Sequence, residues 1–338
     1  MQDIATELGL SITTVSFVIN GKADVMGISA STQKKVTSLI KKKSYKPNSA
    51  ARVLRTGKSN TIALIIEDIG NNFFGNVAKI IEIEANKNGY KVFFSSTEGD
   101  TEIAKSLISI MRQSAVDGFI ITATKGLEEE IIKLKKDNIP FVLIDRLLPG
   151  IDTDYVIVDN YTGSYQLTKH LFISGFSKIG FVTISNGMSQ MKDRKKGYIS
   201  ALKNLKIPIV ESRILEVAFH DTNQAIVEGI QKYLNKNKTL DAVFFATNYL
   251  GLAGIEAIQL TGLKIGKDIA VVSFDDNDAF RLMTPSITVA AQPIKEIATK
   301  TFELLLKNIQ KQKKSNSTSG EIIKPEIIVR DSSKKKYV

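Results

Sequence analysis

Polar residues recur at the ends of short apolar runs in this chain: Asp68, the pairs Asp145–Arg146 and Asp159–Asn160, then Asn248 and Asp275. Arg194 opens a helical stretch and faces the same edge if the register holds. Carboxylates, amides and one guanidinium gathered in a cleft suit a ligand rich in hydroxyl groups, with Phe73, Phe74 and Phe219 as a stacking face. Singly, each residue has a plainer use: a strand-end aspartate is usually a cap or turn former, and a phenylalanine is usually core. Their recurrence at one edge of successive runs is what favours a cleft.

Catalytic chemistry finds less support. The chain has no cysteine, which excludes disulfides, thiolate nucleophiles and cysteine-ligated metals. It lacks GxxxxGK[ST], a GxGxxG after a strand, and HExxH, so neither a cofactor nor a metal is expected. Of the two histidines, His170 falls within a helical stretch, and His220 ends a strand beside the presumed cleft.

The elements that must position these groups alternate. "TIALIIE", "YKVFFSS", "DGFIITA" and "PFVLID" are β-rich runs separated by amphipathic helical stretches, and the pattern restarts with "KIGFVTI", "RILEVAF", "DAVFFAT" and "IAVVSFD". Such alternation predicts parallel sheets covered by helices on both faces, here in two doubly wound lobes. Ligands of such folds bind at the carboxyl ends of the strands, where the polar residues lie.

A second chemistry occupies the first 60 residues, which carry ten lysines and arginines against Asp3, Glu7 and Asp24, out of a net charge of +11 for the whole chain. An excess this concentrated points to a polyanion. Within "DIATELGLSITTVSFVIN", Ile4, Ala5 and Leu8 share one helix face, Gly9 can take the positive φ of an abrupt turn, and Ser11 can cap a second helix. Val15, Val18 and Ile19 form that helix's apolar stripe, leaving Ile12, Thr13, Ser16 and Phe17 outward. This is a helix-turn-helix pattern, whose second helix enters the DNA major groove. A third helix is predicted over about 31–43, with Val36, Leu39 and Ile40 inward. After Pro47, Asn48 or Ser49 can cap a two-turn helix running to Arg55, too short to stand alone in water. There Leu54 reads either as a wedge between base steps of the minor groove or as a linker side chain packed on the core.

The ordered set of motifs resembles the lac repressor/galactose repressor family of bacterial transcription regulators over essentially the whole chain. "DIATELGLSITTVSFVING" resembles its helix-turn-helix, and "YKPNSAARVLRTGKSNTIALIIEDIGNNFF" its hinge helix and first core strand. "VDGFIITA", "PFVLIDR", "VIVDN", "DRKKGYISAL", "VSFDD" and "TPSITVAAQP" follow in the family's order. The resemblance implies an all-α head at 1–46, a hinge at 47–60, and a two-lobed α/β core like periplasmic binding proteins at 61–338. Its N-terminal lobe would span about 61–160 plus 293–320, its C-terminal lobe about 161–292 plus 321–331. It further implies a homodimer on double-stranded operator DNA, with a small-molecule effector, a sugar or sugar derivative by preference. The DNA-binding set it implies is Ser11, Ile12, Thr13, Thr14, Ser16, Phe17, Asn20, Leu54 and Arg55. The effector-binding set is Phe73, Phe74, Asp145, Arg194, Phe219, Asn248 and Asp275.

Three departures stand out: Phe17 where the family most often has arginine, Asn72 for the proline of "NPFF", and Tyr249 where an aspartate usually follows the asparagine. The tail "DSSKKKYV" lacks the leucine heptads of a tetramerising helix, so a dimer is expected. The chain begins a few residues short of the usual lead-in to the first helix. The alternative class is a sugar-binding protein of a transport system, which should carry a signal peptide and no basic head. Neither a signal pattern nor an apolar run long enough to span a membrane is visible, so a cytoplasmic location is expected.

Overall fold

The computed structural model describes residues 1–43, 57–185, 187–219, 221–310 and 318–334. Two compact units divide the chain, Met1–Ser59 and Asn60–Val338. The expected hinge helix with Leu54 and Arg55, and also His220, lie outside the described residues.

The first unit holds α1 (Gln2–Leu8), α2 (Ile12–Ile19) and α3 (Ala30–Lys42). Gly9 ends α1 in the left-handed region at φ 62°, a conformation that costs glycine no Cβ clash. The Ser11 hydroxyl caps α2 by accepting from the Thr14 amide at 3.0 Å, and Ser29 caps α3 through the Thr32 amide at 3.3 Å. Ile4, Ala5, Val15, Val36 and Leu39 form the buried centre. Helices this short are marginal alone, so this shared centre is what holds them.

In the second unit the strands are β1 (Thr61–Ile66), β2 (Lys91–Ser96), β3 (Gly118–Ile121), β4 (Phe141–Ile144), β5 (Tyr155–Val158), β6 (Ile179–Ser185), β7 (Ile214–Ala218), β8 (Ala242–Phe245), β9 (Ala270–Phe274), β10 (Thr288–Ala291), β11 (Gly320–Ile323) and β12 (Glu326–Ile328). Between them run α4 (Asn72–Lys87), α5 (Thr101–Gln113), α6 (Glu128–Lys136), α7 (Asn160–Ile173), α8 (Ser189–Asn204), α9 (Asn223–Lys236), α10 (Asn248–Leu260), α11 (Asp278–Leu282) and α12 (Ile294–Gln310). One sheet has the order β11-β5-β4-β3-β1-β2, the other β12-β10-β9-β8-β6-β7. All pairings are parallel except β10 with β12. The chain therefore passes between lobes three times: after β5, after β10 and after β11.

The apolar runs become strands because β-branched and aromatic side chains fill the space between sheet and helices; β1, β3, β4, β8 and β9 are buried almost throughout. One strand differs from the expectation of two covered faces. β2 lies at a sheet edge, and its Phe93 and Phe94 are 46% and 39% exposed.

Candidate effector cleft and DNA-reading helix

The cleft forms where strands end. Asp145 follows β4 and Asp275 follows β9, both with positive φ, 71° and 68°. Each donates its amide onto the next strand, Asp145 to Val156 O at 3.2 Å and Asp275 to Ala290 O at 2.9 Å. The left-handed conformation, uncommon for a residue with a side chain, is thus fixed by the sheet, and it turns the carboxylates off the strand line.

Arg194 sits in the second turn of α8 rather than at its start. Its position depends on Gly197 one turn later, where a Cβ would lie 2.3 Å from the Tyr161 carbonyl oxygen. Only a glycine lets α7 and α8 approach so closely, and this approach brings Arg194 onto Asn160. The guanidinium donates from Nε to Asn160 Oδ1 at 2.8 Å and from Nη1 to Ala246 O at 2.5 Å and Asp275 Oδ2 at 3.2 Å. It lies 3.7 Å over the Phe274 ring and is 2% exposed. Gln292 donates to the other Asp275 oxygen at 2.6 Å. Burial pushes the Asp275 carboxyl above its ordinary value, with Arg194 and Gln292 opposing the shift.

The second arginine was not in the expected site set. Arg146 donates from Nε to Asp145 Oδ2 at 3.0 Å, and its Nη2 is 2.7 Å from Glu67 Oε2. With the Gln190 amide turned so that its oxygen faces the guanidinium, that oxygen accepts from the same Nε at 3.0 Å and from Nη2 at 3.3 Å. Burial opposes the charge on Arg146, but Asp145 and Glu67 more than offset it and hold its pKa above the usual value. The Glu67 carboxyl is raised by burial, an effect its arginine only partly counters.

Phe73, Phe74, Asp145, Arg194, Phe219, Asn248 and Asp275 all line one cavity. Phe73 and Phe74 sit edge to face with centroids 5.0 Å apart. The Phe219 ring closes over Gly99, where an added Cβ would meet its Cε1 at 2.3 Å. The same cavity also takes Glu67, Arg146, Gln190, Tyr249 and Gln292. Among the other strand-end residues, Asp159 caps α7 through the Thr162 amide at 2.9 Å, and Asp68 accepts from the Gly70 amide at 2.7 Å. For those two the plainer use is the one seen. His170 is structural as well: its Nε2 lies 2.8 Å from Ser333 Oγ, and burial lowers its pKa.

In the head, Ile12 is 44% exposed and Thr13 is exposed, whereas Ser16 and Phe17 are half-buried rather than fully outward. The Ser11 and Thr14 hydroxyls share a hydrogen bond at 2.8 Å, and Asn20 donates to Ser16 O at 2.6 Å. Ile12 and Thr13 are therefore the side chains of α2 most available to a partner.

Residues 1–48 match the bacterial regulatory proteins of the lacI family, and residues 168–333 match a periplasmic binding protein-like domain. The HTH-type transcriptional regulator DegA of Bacillus subtilis is 31% identical over 335 residues, covering 98% of this chain and 96% of that protein. The ribose operon repressor of Haemophilus influenzae is 29% identical, covering 98% of each. The lac repressor dimer bound to operator and an anti-inducer has the same fold, with a TM-score of 0.85 at 21% identity and 98% of each chain covered. A family regulator from Enterococcus faecium with bound ribose superposes with a TM-score of 0.72 at 25% identity, covering 82% of this chain and all of that one. The chain belongs to the lacI family of bacterial transcriptional regulators, DNA-binding proteins with a periplasmic-binding-protein-like core. Among the described residues no helix is long and apolar enough to cross a membrane.

Proposed function

We propose that this chain is a cytoplasmic transcriptional repressor whose affinity for double-stranded operator DNA is set by a sugar or sugar derivative bound between the core lobes, and that it catalyses no reaction. The observation that carries the reading is that the cavity draws polar walls from both lobes, Glu67, Asp145 and Arg146 from one and Gln190, Arg194, Asn248 and Asp275 from the other. A ligand held there ties the lobes together, and so biases their spacing. A differential affinity of about 1–3 kcal/mol between two spacings would give about 5–150-fold regulation.

The head at 1–46 reads bases through Ser11, Ile12, Thr13, Thr14, Ser16, Phe17 and Asn20; Ile12 and Phe17 offer apolar contact, suited to a thymine methyl. In the hinge at 47–60, Leu54 wedges into the minor groove and Arg55 holds phosphate. The core at 61–338 pairs two copies. Exposed Ile83 on α4 and Phe93 and Phe94 on the adjoining β2 supply apolar surface for a homodimer.

The test is duplex binding by the full chain at rising salt, on selected operator and on unrelated DNA. A steep loss of affinity with salt is expected for both, with Leu54→Ala weakening the operator far more than the unrelated duplex. Equal losses would remove the wedge, and salt-independent or absent binding would remove the repressor reading.

A further inference from the structure

The charges in the cleft are unequal. Among the described residues, three carboxylates, Glu67, Asp145 and Asp275, face two guanidiniums in the inner chamber. Both guanidiniums are already engaged: Arg146 by Asp145, Glu67 and Gln190, and Arg194 by Asn160, Ala246 O and Asp275. An outer groove leads inward, and its described lining holds Glu67, Asp68 and Glu98 with neither lysine nor arginine. Glu67 and Asn248 line both spaces and so stand at the neck between them.

Two features at this neck look toward a ligand. Asn248 is 4% exposed and lines both spaces, where its side-chain amide can both donate and accept. Glu67 Oε2 lies 2.7 Å from Arg146 Nη2 as an ion pair, yet this buried oxygen accepts no hydrogen bond of good geometry among the described residues. Asp145 likewise uses Oδ2 for Arg146 and keeps Oδ1. At the point of entry the carboxylates of Glu67, Asp68 and Glu98 face no lysine or arginine in the described lining of the groove. An anion arriving there meets like charge in a poorly screened neck, whereas O–H and N–H groups meet acceptors.

Resting on the reading of this cleft as an effector site, we propose that Glu67 determines its specificity. The cleft takes a polyhydroxylated ligand that presents O–H or N–H donors and carries no phosphate or carboxylate.

The experiment is calorimetric titration of the full chain with matched sets: glucose, glucosamine and glucose 6-phosphate; galactose, galactosamine and galacturonate; ribose and ribose 5-phosphate. An uncharged or amine-bearing member binds, and its anionic counterpart binds at least about tenfold more weakly. The sugar and amino-sugar arms then tell hydroxyl donors from ammonium donors. Glu67→Gln, which keeps size and removes charge, narrows the gap between parent and anionic form by about tenfold. An anionic member binding as tightly as its parent overturns the proposal, as does an unchanged ratio in Glu67→Gln; the wild-type ranking decides even if the variant folds poorly. Silence from every set would instead retire the sugar reading, and this inference with it.

Discussion

Arg146 and Arg194 enter one cavity from different lobes, and each is held by an aspartate in the left-handed conformation at a strand end. The local device is the same, but its reach differs. Every partner of Arg194 belongs to the C-terminal lobe: Asn160, Ala246, Asp275 and the Phe274 ring. Arg146 also takes Gln190 from the facing lobe, next to a second bridge in which the Leu147 amide donates to Ser189 Oγ at 3.1 Å. One half of the cleft is an anchor held within a single lobe. The other is a clasp, whose contacts span both lobes.

The largest effect that could break this contrast comes from Arg194→Ala. It strands a buried Asp275 and should lower core stability by about 3–5 kcal/mol, read by chemical denaturation; a loss below about 1 kcal/mol would mean that the anchor is not one. Gln190→Leu should cost less, about 1 kcal/mol, but should open the cleft, seen as faster hydrogen exchange at Leu147 with none at Arg194's neighbours. Equal exchange on both sides would erase the distinction. Glu67→Gln should give a smaller change of opposite sign. Burial holds this carboxyl above 4.5, so its favourable contribution is present at low pH and lost as pH rises through the raised value. The ligand-free variant should therefore melt slightly higher than wild type at neutral pH, with the gain vanishing near pH 4. The smallest effect belongs to His170, a control outside the cleft. Burial lowers its pKa from 6.5, so the stability it contributes is present above that value and erodes as pH falls below it. His170→Gln should flatten that acid slope in a melting series.

The anchor was far more legible than the clasp. Asp275 and Asn248 announce themselves as polar residues at strand ends, and Arg194 as a charge near the start of a helical stretch. The caps of α2 and of the core helices also follow from single residues, Ser11 and Asp159 among them. Glu67 is hidden because it closes the apolar run "TIALIIE", where it reads as the strand's solvent-side end, while its neighbour Asp68 drew notice and proves to be a turn former. Gln190 and Gln292 matter through partners 44 and 17 residues away, a proximity that no local pattern encodes. The exposure of Phe93 and Phe94 was hidden for a similar reason: a β-rich run does not say whether it ends up at a sheet's centre or at its edge.

The three passages between lobes also govern how this chain can be made. β11 completes the first sheet against β5, and β12 completes the second against β10. Only Lys324 and Pro325 separate those two strands. As the chain emerges from the ribosome, residues 60–310 can be out while β5 and β10 each still lack their last partner strand, and a strand left unpaired is prone to pair with another chain. Neither lobe is finished before the other, so both sheets gain their last strand within the same few residues of synthesis.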